Sequence, residues 1–447
     1  MPKKKTALTI EERLQQALVP AEEQPYEVPE NWVWVRLGEV NKYISKSVNP
    51  ISEPDKIFEL YSVPSMVDNY PEIIAGSDIG SSKQSVCKKD VLLCKINPRI
   101  NRVWKVSQFT DNELIASSEW IIIRNNHINE NYLMYCFQSK YFREFMLSNV
   151  SGVGGSLMRA QPKYVQTYPI PLPPLSEQQR IVERIEELFA KLDEAKERLQ
   201  EVADSFAVRK AAILHKAFTG ELIGKKIEQL VPLESLVDLI KIGPFGSALH
   251  ESDYIENGIP LVNPKHIVQQ HIVPQSKISI SEEKAEELSS YRLKANDIVL
   301  GRRGEMGRCA PVSAREENWI CGTGSMIIRL KEEYDARLYS LILGSQATVT
   351  YLENSAVGST LKNLNEKIVR KIPVPQFDIE EQHEIVRLID DLLARERAAQ
   401  QAAEQALASI DLMKKSILAR AFRGELGTNK ASEASALELL KQVLAEN

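Results

Sequence analysis

Basic side chains are the residues of this sequence whose types and spacing point most clearly to a chemistry. Between positions 83 and 105 the lysines and arginines are accompanied by a single acidic residue, Asp90, and are interleaved with asparagines and Trp104. Cations of this density suit phosphate contacts, and amide side chains suit hydrogen bonds to base edges. The alternative is a solvated strand-and-turn face. The candidate DNA contacts here are Lys83, Lys88, Lys89, Lys95, Asn97, Arg99, Asn101, Arg102 and Lys105.

A second basic group lies in the other half of the chain, directly after an apolar run that predicts a strand. Arg302, Arg303 and Arg308 stand among or beside the glycines of the stretch 301–307. Glycine lets a backbone approach a phosphate chain, and the arginine fork matches the acceptor edge of guanine. The alternative is a tight basic turn. These three arginines are therefore also candidate DNA contacts.

Short loop-like stretches add hydroxyl, amide and further basic groups. Each has a plainer interpretation, either as ordinary turn chemistry or as a helix N-cap. A loop that combines a hydroxyl, an amide and a cation would nevertheless hold both a phosphate and a base. The residues predicted from these stretches are Phe245, Gly246 and Ser247; Lys265 and His266; Ser156 and Arg159; and Thr360, Lys362 and Asn363.

Motifs of catalysis and of metal binding do not occur in the sequence. The glycine-rich stretch 301–307 lacks the lysine and hydroxyl of a phosphate loop, and the histidines form no HExxH pair. Asn97-Pro98-Arg99 lacks the second proline and the aromatic residue of an amino-methyltransferase motif. The five cysteines form no CxxC pair, which predicts reduced cytoplasmic thiols and no metal site. We expect neither catalytic residues nor a bound cofactor in this chain.

An internal duplication organises the elements that must position the basic groups. With a constant shift of 204 positions, residues 171–222 align with residues 375–426 without a gap. The two copies close on the related sequences AFTGEL and AFRGEL. Register kept over such a distance indicates a repeat, and repeats decide architecture before other signals do.

Both copies predict a long helix with a seam of apolar residues in alternating steps of four and three. Such a heptad seam requires a partner helix. In the second copy the middle of the seam is mostly alanine, which suits close approach to the bulkier first helix. The alternative is two separate buried helices, although helices of this length are uncommon in a core. The predicted seam is Ile181, Ile185, Leu188, Leu192, Leu199, Val202 and Phe206, with Ile385, Ile389, Leu392, Ala399, Ala403, Ala406 and Ile410.

Local signals mark where these helices begin and end. Ser176 with Gln179, and Asp378 with Glu381, have the spacing of a capping box. Gly220 and Gly424 follow the last apolar residues, where helices commonly stop.

The regions that precede the two long helices share a mixed plan. Apolar runs at 91–93 and 120–123 predict strands, and they correspond to runs at 297–300 and 326–329. Helical stretches are predicted at 131–147 and, in the repeat, at 336–343. Shorter amphipathic helices are predicted at 9–19 and 431–444.

Composition limits the classes of protein that remain. The 447 residues carry a net charge of −5, and most of the negative charge falls on the predicted helices and the C-terminal tail. A DNA-binding surface needs only a local basic patch, so the overall sign does not exclude one. The sequence contains no apolar run of membrane-spanning length and no secretory signal.

The fold class predicted from these patterns is α+β. It consists of two mixed α/β domains related by internal duplication and joined by two long helices that form an antiparallel coiled coil. The predicted segments are an N-terminal helix and link at 1–27, a first domain at 28–168, a central long helix at 169–222, a second domain at 223–374, a second long helix at 375–426 and a tail helix at 427–447.

This layout resembles the DNA-specificity subunit of type I restriction-modification systems. The resemblance covers nearly the whole chain. It rests on the sequences PLPPLSEQQRIV (171–182) and FTGEL (218–222) with their second copies, on GPFGS (243–247) and on residues 294–304. The first domain has no counterpart of the PFGS sequence.

The resemblance implies two target-recognition domains, each of which reads one half of a bipartite, asymmetric site in double-stranded DNA. The helices would set the spacing and dock two modification subunits, and restriction subunits would complete the endonuclease. S-adenosylmethionine and ATP would bind to those partners. The competing hypotheses are a coiled-coil scaffold that binds proteins but not DNA, and a self-contained methyltransferase or nuclease.

Overall fold

The computed structural model describes residues 8–151, 158–244, 248–355 and 363–445. The chain divides into two compact units. Unit 1 comprises Met1–Arg198 and Ala406–Asn447, and unit 2 comprises Leu199–Gln405. Each unit therefore contains one mixed domain, the beginning of the long helix that follows it, and the end of the other long helix.

The long helices are the elements that both units share. The first is α6 (Leu175–Asp204) followed by α7 (Phe206–Phe218), and the second is the continuous α12 (Ile379–Ala421). The first is interrupted at Ser205, whose hydroxyl donates to the carbonyl of Val202 at 2.7 Å. A serine that bonds back to its own helix competes with the helical ladder, which accounts for the break.

Unit 1 contains a mixed set of short strands and helices. Its helices are α1 (Ile10–Ala17), α2 (Leu37–Val40), α3 (Glu130–Gln138), α4 (Lys140–Ser148), α5 (Pro162–Val165) and α13 (Ala436–Ala445). Its strands are β1 (Val33–Arg36), β2 (Ser47–Val48), β3 (Ile57–Tyr61), β4 (Glu72–Ala75), β5 (Lys83–Ser85), β6 (Val91–Cys94), β7 (Val103–Lys105), β8 (Glu113–Ala116), β9 (Trp120–Ile123), β10 (Val150–Ser151), β11 (Arg159–Ala160) and β12 (Pro169–Leu172).

The strands of unit 1 form small sheets that pack against several apolar clusters. One sheet has the order β2–β5–β8–β3–β4, in which β3 and β8 are parallel, and another has the antiparallel order β7–β6–β9. All four residues of β6 are buried, as expected for a central strand with both faces covered. Strand β1 pairs with β12 and thereby brings the start of the domain to the start of α6.

Unit 2 repeats this plan with different loops. Its helices are α8 (Glu282–Glu287), α9 (Ala336–Leu343), α10 (Gln346–Ser355) and α11 (Glu366–Arg370). Its strands are β13 (Val231–Pro232), β14 (Val237–Ile242), β15 (Ile259–Val262), β16 (Ile267–Val268), β17 (His271–Ile272), β18 (Ser279–Ile280), β19 (Asp297–Gly301), β20 (Cys309–Pro311), β21 (Ile320–Cys321), β22 (Ser325–Leu330) and β23 (Pro373–Val374). The order β14–β22–β19–β20 contains the counterpart of β9–β6–β7.

Within unit 1 the segments of the two long helices run antiparallel. Glu177 at the start of α6 accepts a hydrogen bond from Asn429 at 2.8 Å, and further along α6 Asp193 pairs with Lys414 at 2.5 Å. The partner number falls as the α6 number rises, which defines the direction. The Lys414 ammonium also lies 5.1 Å from the ring centroid of Phe189.

Unit 2 shows the same direction. Arg209 in α7 donates to Glu396 in α12 at 2.9 Å, and Lys225, beyond the end of α7, pairs with Glu381 at the start of α12. Ala217 packs in the same core cluster as Ile385 and Ile389. Antiparallel pairing of the long-helix segments is therefore present in both units.

The seam prediction is correct at most positions and wrong at Val202 and Ala399, which are exposed. Ile181 and Ile185 are fully buried, as are Ile385 and Ile389, and Phe206, Ala403 and Ile410 are also buried. Val202, however, is 43% exposed. A straight helix drifts about 20° per heptad from a strict seven-residue repeat, so positions counted in heptads rotate away from the partner. The remaining seam positions are half-buried at Leu188, Leu192, Leu199, Leu392 and Ala406 and exposed at Ala399.

The capping predictions have mixed outcomes. Asp378 and Glu381 form both bonds of the capping box, at 2.8 and 3.0 Å. Ser176 is not a cap, because α6 begins one residue earlier and the Ser176 hydroxyl donates to Glu433 instead. Gly220 adopts the left-handed conformation, with φ of +81°, directly after the cap of α7.

The remaining helix predictions need small corrections. Helix α1 begins after Thr9, which forms a capping box with Glu12. The stretch 131–147 is two helices rather than one, because the chain turns at Ser139. The tail helix begins at Ala436, later than predicted, and packs in the core of unit 1. Among the described residues, no helix is long and apolar enough to cross a membrane.

Candidate nucleic-acid interface

In unit 1 the loop between β6 and β7 carries a concentrated group of basic and amide side chains. Asn97 and Asn101 adopt left-handed conformations, with φ of +51° and +52°, on either side of a short turn that starts at Pro98. Asparagine tolerates the left-handed region of backbone conformation better than most residues. The two asparagines therefore determine the shape of the loop and also present their amides on it. Arg99 at the turn is exposed.

The segment 158–160 pairs with this loop through backbone hydrogen bonds. The amide of Asn97 donates to Met158 at 2.7 Å, and the amide of Ala160 donates to Lys95 at 2.8 Å. The pairing places Arg159 beside the loop, where its guanidinium makes two 3.2 Å bonds to Glu119. Arg159 therefore lies beside the basic loop, and part of its charge is neutralised by Glu119.

In unit 2 the corresponding loop joins β19 to β20 and contains the predicted arginines. The backbone of Arg302 is hydrogen-bonded on both sides. Its amide donates to the carbonyl of Gly324 at 2.9 Å, and its carbonyl accepts from the amide of Leu364 at 3.0 Å. Gly307 turns the loop with φ of +76°, and a Cβ there would come within 2.6 Å of Val349. A side chain at that position would collide with Val349 of α10 and crowd the Leu343 carbonyl at 3.0 Å.

The two loops occupy equivalent places in the duplicated frame. A β-bridge joins Ile96 to Arg159 in unit 1, and another joins Arg303 to Asn363 in unit 2. Arg159 and Asn363 differ by the same 204 positions as the repeat. The duplication thus brings one basic loop in each unit against the segment that precedes the long helix.

Electrostatics separates the structural arginines from the candidate contacts. The carboxylate of Asp297 forms two bonds to Arg329, at 2.8 and 2.7 Å, and raises the pKa of that guanidinium. Burial, followed by the neighbouring charge of Arg303, lowers the pKa of Arg302 instead. Arg302 and Arg303 therefore form a local concentration of positive charge that an approaching phosphate would relieve.

Arg308 is less available than its sequence position indicated. Its guanidinium donates to Glu305 at 2.5 and 3.2 Å and to the carbonyl of Pro264 at 3.4 Å. Lys265, next to that carbonyl, is exposed.

The basic cluster of the first domain is split by the strand that runs through it. Lys95, Asn97, Arg99, Asn101 and Arg102 gather at one end of the β6–β7 hairpin. The other residues lie elsewhere. Lys88 and Lys89 precede β6 at the opposite end of the hairpin, and Lys105 lies at that opposite end too, where it donates to Asn131 at 2.7 Å. Lys83 belongs to the other sheet, on β5. A stretch that is continuous in sequence is therefore not one surface.

Two aromatic residues of the predicted sites are buried. Trp104 packs between Tyr61 and Trp120 and donates to Asn69 at 2.9 Å, so its ring is part of the core. His266 is 1% exposed, and its Nδ1 lies 2.8 Å from the Leu261 carbonyl. Its place inside the 264–266 turn removes it from the contact surface.

Some predicted contacts lie outside the described residues. They are Ser156, Phe245, Gly246, Ser247, Thr360 and Lys362.

The sequence did not reveal the residues that hold the loops in place. Asn101 donates to the carbonyl of Gln138 at 3.0 Å, and Arg143 donates to the carbonyl of Arg99. In unit 2 the side chain of Arg302 donates to the carbonyl of Leu364 at 3.2 Å. These are contacts to backbone atoms from distant parts of the chain, and no local spacing signals them.

The sequence of this chain is similar to a known protein family and to several of its members. The model of the type I restriction modification DNA specificity domain matches residues 29–204 and 234–406. The specificity subunit of the Escherichia coli type I restriction enzyme EcoBI is 30% identical over 307 residues, which are 62% of this chain and 64% of the relative. The specificity subunit of EcoKI, from Escherichia coli strain K12, is 25% identical over 341 residues, 71% of this chain and 72% of the relative.

The fold is also similar to a solved structure. The HsdS subunit from Thermoanaerobacter tengcongensis matches 90% of this chain and 99% of its own, with a TM-score of 0.68 at 22% identity. The aligned part spans about two thirds of the length of the EcoBI relative. Since the family model covers most of the chain in two consecutive copies, this protein belongs to the family of type I restriction-modification DNA specificity domains.

Proposed function

We propose that this chain is the DNA-specificity subunit of a type I restriction-modification complex, and that each unit reads one half of a bipartite, asymmetric site. The observation that carries the proposal is the pair of equivalent basic loops, residues 95–102 and 302–308, held at the same place in the duplicated frame. Because the two loops present different side chains, the two half-sites should differ in sequence.

The chemistry of each loop fits contact with duplex DNA. In unit 2, Arg303 is exposed beside Arg302, and a guanidinium fork can reach both acceptors of guanine in the major groove. In unit 1, cations and amides are mixed, which suits phosphate positioning combined with adenine contacts. Lys88, Lys89 and Lys105 lie at the opposite end of their hairpin, so we assign them at most to backbone phosphates.

The long helices supply the other part of the proposal. Antiparallel pairing of α6–α7 with α12 would set the spacing between the half-sites and carry two modification subunits, with restriction subunits added to them. Methyl transfer and ATP-driven cleavage would belong to those partners, which would bind S-adenosylmethionine and ATP. The chain itself would be non-catalytic and cytoplasmic.

Methylation mapping of a reconstituted complex tests this function. The complex of this chain with its modification subunits should methylate one bipartite site. Arg303→Ala should relax the bases read in one half-site, and Arg99→Ala with Asn97→Ala those in the other. Arg315→Ala, an exposed arginine that follows β20 at the opposite end of the β19–β20 hairpin from the loop, serves as the control and should leave the site unchanged.

The result also separates the competing functions. Loss at both half-sites from either variant would contradict independent readers. DNA binding that is absent, or that does not weaken as salt rises, would favour a protein-binding scaffold. Methyl transfer by the purified chain alone would establish a self-contained enzyme.

A further inference from the structure

Each unit contains a corner at which two consecutive helices meet on a buried serine. Ser139 lies between α3 and α4, and Ser345 lies between α9 and α10. The backbone amide of Arg143 donates to the carbonyl of Ser139 at 3.1 Å, and that of Val349 donates to the carbonyl of Ser345 at 2.8 Å. Arg143 and Val349 therefore occupy the same position in the first turn of the second helix.

Hydrogen bonds at the start of the preceding helices give the same correspondence. The amide of Asn129 before α3 donates to Gln178, and the amide of Asp335 before α9 donates to Gln382. Gln178 and Gln382 are related by the repeat shift, so Asn129 and Asp335 are equivalent. The two residues just compared follow these caps at the same distance along the chain.

In unit 1 the α3–α4 corner holds the basic loop by its backbone and by one of its amides. The guanidinium of Arg143 donates to the carbonyl of Arg99 in the turn of the loop. At the end of the turn, the side-chain amide of Asn101 donates to the carbonyl of Gln138, the last residue of α3, at 3.0 Å. The Nε of Arg143 is buried and has no hydrogen-bond partner among the described residues. The guanidinium is therefore directed at the loop rather than at solvent.

In unit 2 the same helix position contacts the basic loop by packing. A Cβ on Gly307 would lie 2.6 Å from Cγ2 of Val349, so the loop backbone and the valine are already in close contact. The neighbouring Met306 is 4% exposed and belongs to the core cluster against which Val349 packs. Just beyond the loop, the thiol of Cys309 donates to the carbonyl of Ser340 in α9 at 3.1 Å. The α9–α10 corner therefore holds its loop by shape rather than by charge.

The two contacts constrain their loops in different ways. Arg143 holds a carbonyl through a directional hydrogen bond and adds a cation beside the loop, whereas Val349 is neutral and fills space. A side chain that reads a base must be held to within about 0.5 Å of its productive position. A residue that fixes the backbone of the loop therefore also fixes which bases the loop can reach.

We propose that Arg143 and Val349 are positioning residues for base recognition, and that each controls the bases read in the half-site of its own unit by fixing the basic loop. The inference rests on the proposed function, because it requires that the loops 95–102 and 302–308 contact DNA. It adds that specificity is set partly from the helix that packs against each loop, by residues of unlike type at one repeated position.

Methylation mapping of the reconstituted complex on DNA with randomised half-sites tests the contact in unit 1. Arg143→Met keeps an unbranched stem but removes the donor, and it should lower the preference for the cognate bases of one half-site by about tenfold, the value of one bidentate base contact. The other half-site should be unchanged. Arg143→Lys should restore part of the preference, because its ammonium still donates. Glu144→Gln, at the adjacent exposed position of α4, is the matched control and should methylate as the unaltered complex does.

Hydrogen exchange separates positioning from a general loss of stability. In Arg143→Met the amides of residues 95–102 should lose protection while those of β6 and β9 keep theirs, because the lost hydrogen bond is made to the loop. Loss of protection throughout unit 1 would assign Arg143 to stability and would overturn the proposal.

A pair of substitutions tests the packing contact in unit 2. Gly307→Ala should weaken binding of the cognate DNA, since its Cβ collides with Val349 and its φ of +76° disfavours a side chain. Gly307→Ala combined with Val349→Ala should bind more tightly than Gly307→Ala alone, because the shorter side chain removes the collision while the backbone strain is common to both. Thr350→Ala, exposed on the same helix, should give no such recovery when it is combined with Gly307→Ala.

The outcomes distinguish this inference from the proposed function. If Arg143→Met leaves both half-sites unchanged while Arg99→Ala with Asn97→Ala relaxes one, the inference is overturned and the proposed function stands. Absence of recovery with Val349→Ala would overturn it for unit 2. A site unchanged both by that unit 1 double variant and by Arg303→Ala would instead remove the loops from recognition, and the inference would fail with them.

Discussion

The buried Asp90 of unit 1 and the buried Asp297 of unit 2 hold the same set of hydrogen bonds. Each accepts two from an arginine, at 2.6 to 2.8 Å: Arg124 directly after β9 in unit 1, and Arg329 in β22 in unit 2. Each also accepts one from the backbone amide three residues earlier, at 2.8 Å. The agreement extends to Gln178 and Gln382 at the starts of the long helices, as well as to their backbone partners.

Outside this shared frame the two units differ sharply. The basic loop of unit 1 turns on Pro98 between two left-handed asparagines, whereas that of unit 2 turns on glycines. A groove at the end of a long helix is lined by Tyr26, Tyr141 and Arg423 in unit 1 and by Thr219, Leu230 and Ala347 in unit 2. Burial and paired charge constrain the frame, because removing one partner of a buried ion pair strongly destabilises the fold. The exposed loops and groove linings carry no such constraint and are free to diverge. One frame can therefore present two unlike surfaces.

The largest effects are expected where the frame meets the long helices. Ile185 and Ile389 are related by the repeat shift and are both fully buried. Ile185→Asp should open unit 1, and Ile389→Asp should open unit 2, each by at least about 3 kcal/mol, because a carboxylate would be buried without a partner. Hydrogen exchange, resolved by peptide, should show protection lost in the altered unit first.

Val202→Asp is the control for both changes. Val202 belongs to the predicted seam but is 43% exposed, so an aspartate there should cost less than about 0.5 kcal/mol. A large loss at Val202, or an equal loss of protection in both units from Ile185→Asp, would contradict the separation of the chain into two compact units.

The shared carboxylates come next in size. Asp90→Asn and Asp297→Asn should each destabilise their own unit by about 3 kcal/mol, since each leaves a partly buried guanidinium without its charge partner. The estimate is at the lower end for such pairs because Arg124 and Arg329 are 30% and 24% exposed. Denaturant unfolding followed by hydrogen exchange measures both. Costs that differ between the units by more than about 1 kcal/mol would show that the frames are not equivalent.

These features differ in how far the sequence predicts them. The duplication, the strands of the frame and the long helices follow from apolar period and repeat register, because burial imposes both. Trp104 and the cluster from Lys83 to Lys105 were misplaced, because a strand carries successive residues to different ends and faces within a short stretch. The ion pairs of Arg159 and Arg308 join residues through the folded loops, and a pattern of residue types does not indicate which cation has a carboxylate partner.

A smaller effect distinguishes arginines within the loop of unit 2. Arg303→Ala should weaken binding of the cognate DNA by roughly 1–2 kcal/mol, about the value of one bidentate base contact. Arg308→Ala should cost less, because Arg308 is already neutralised by Glu305 at 2.5 Å. Titrations of the reconstituted complex at several salt concentrations measure both changes. A greater loss from Arg308→Ala than from Arg303→Ala would show that DNA displaces Glu305.

The smallest predicted difference is a pH dependence of unit 2 from His266. Burial, the largest cause, lowers the pKa of this imidazole in the folded chain, so folding favours the neutral ring. Its contribution to stability is therefore present above the unfolded pKa of about 6.5 and is lost as the pH falls toward the lower folded value. The hydrogen-exchange protection factors of residues 259–268, which are corrected for the intrinsic exchange rate at each pH, should fall across that window. In His266→Gln, which has no proton to take up, the local profile should become flatter; a profile that kept its slope would assign the pH dependence to another group.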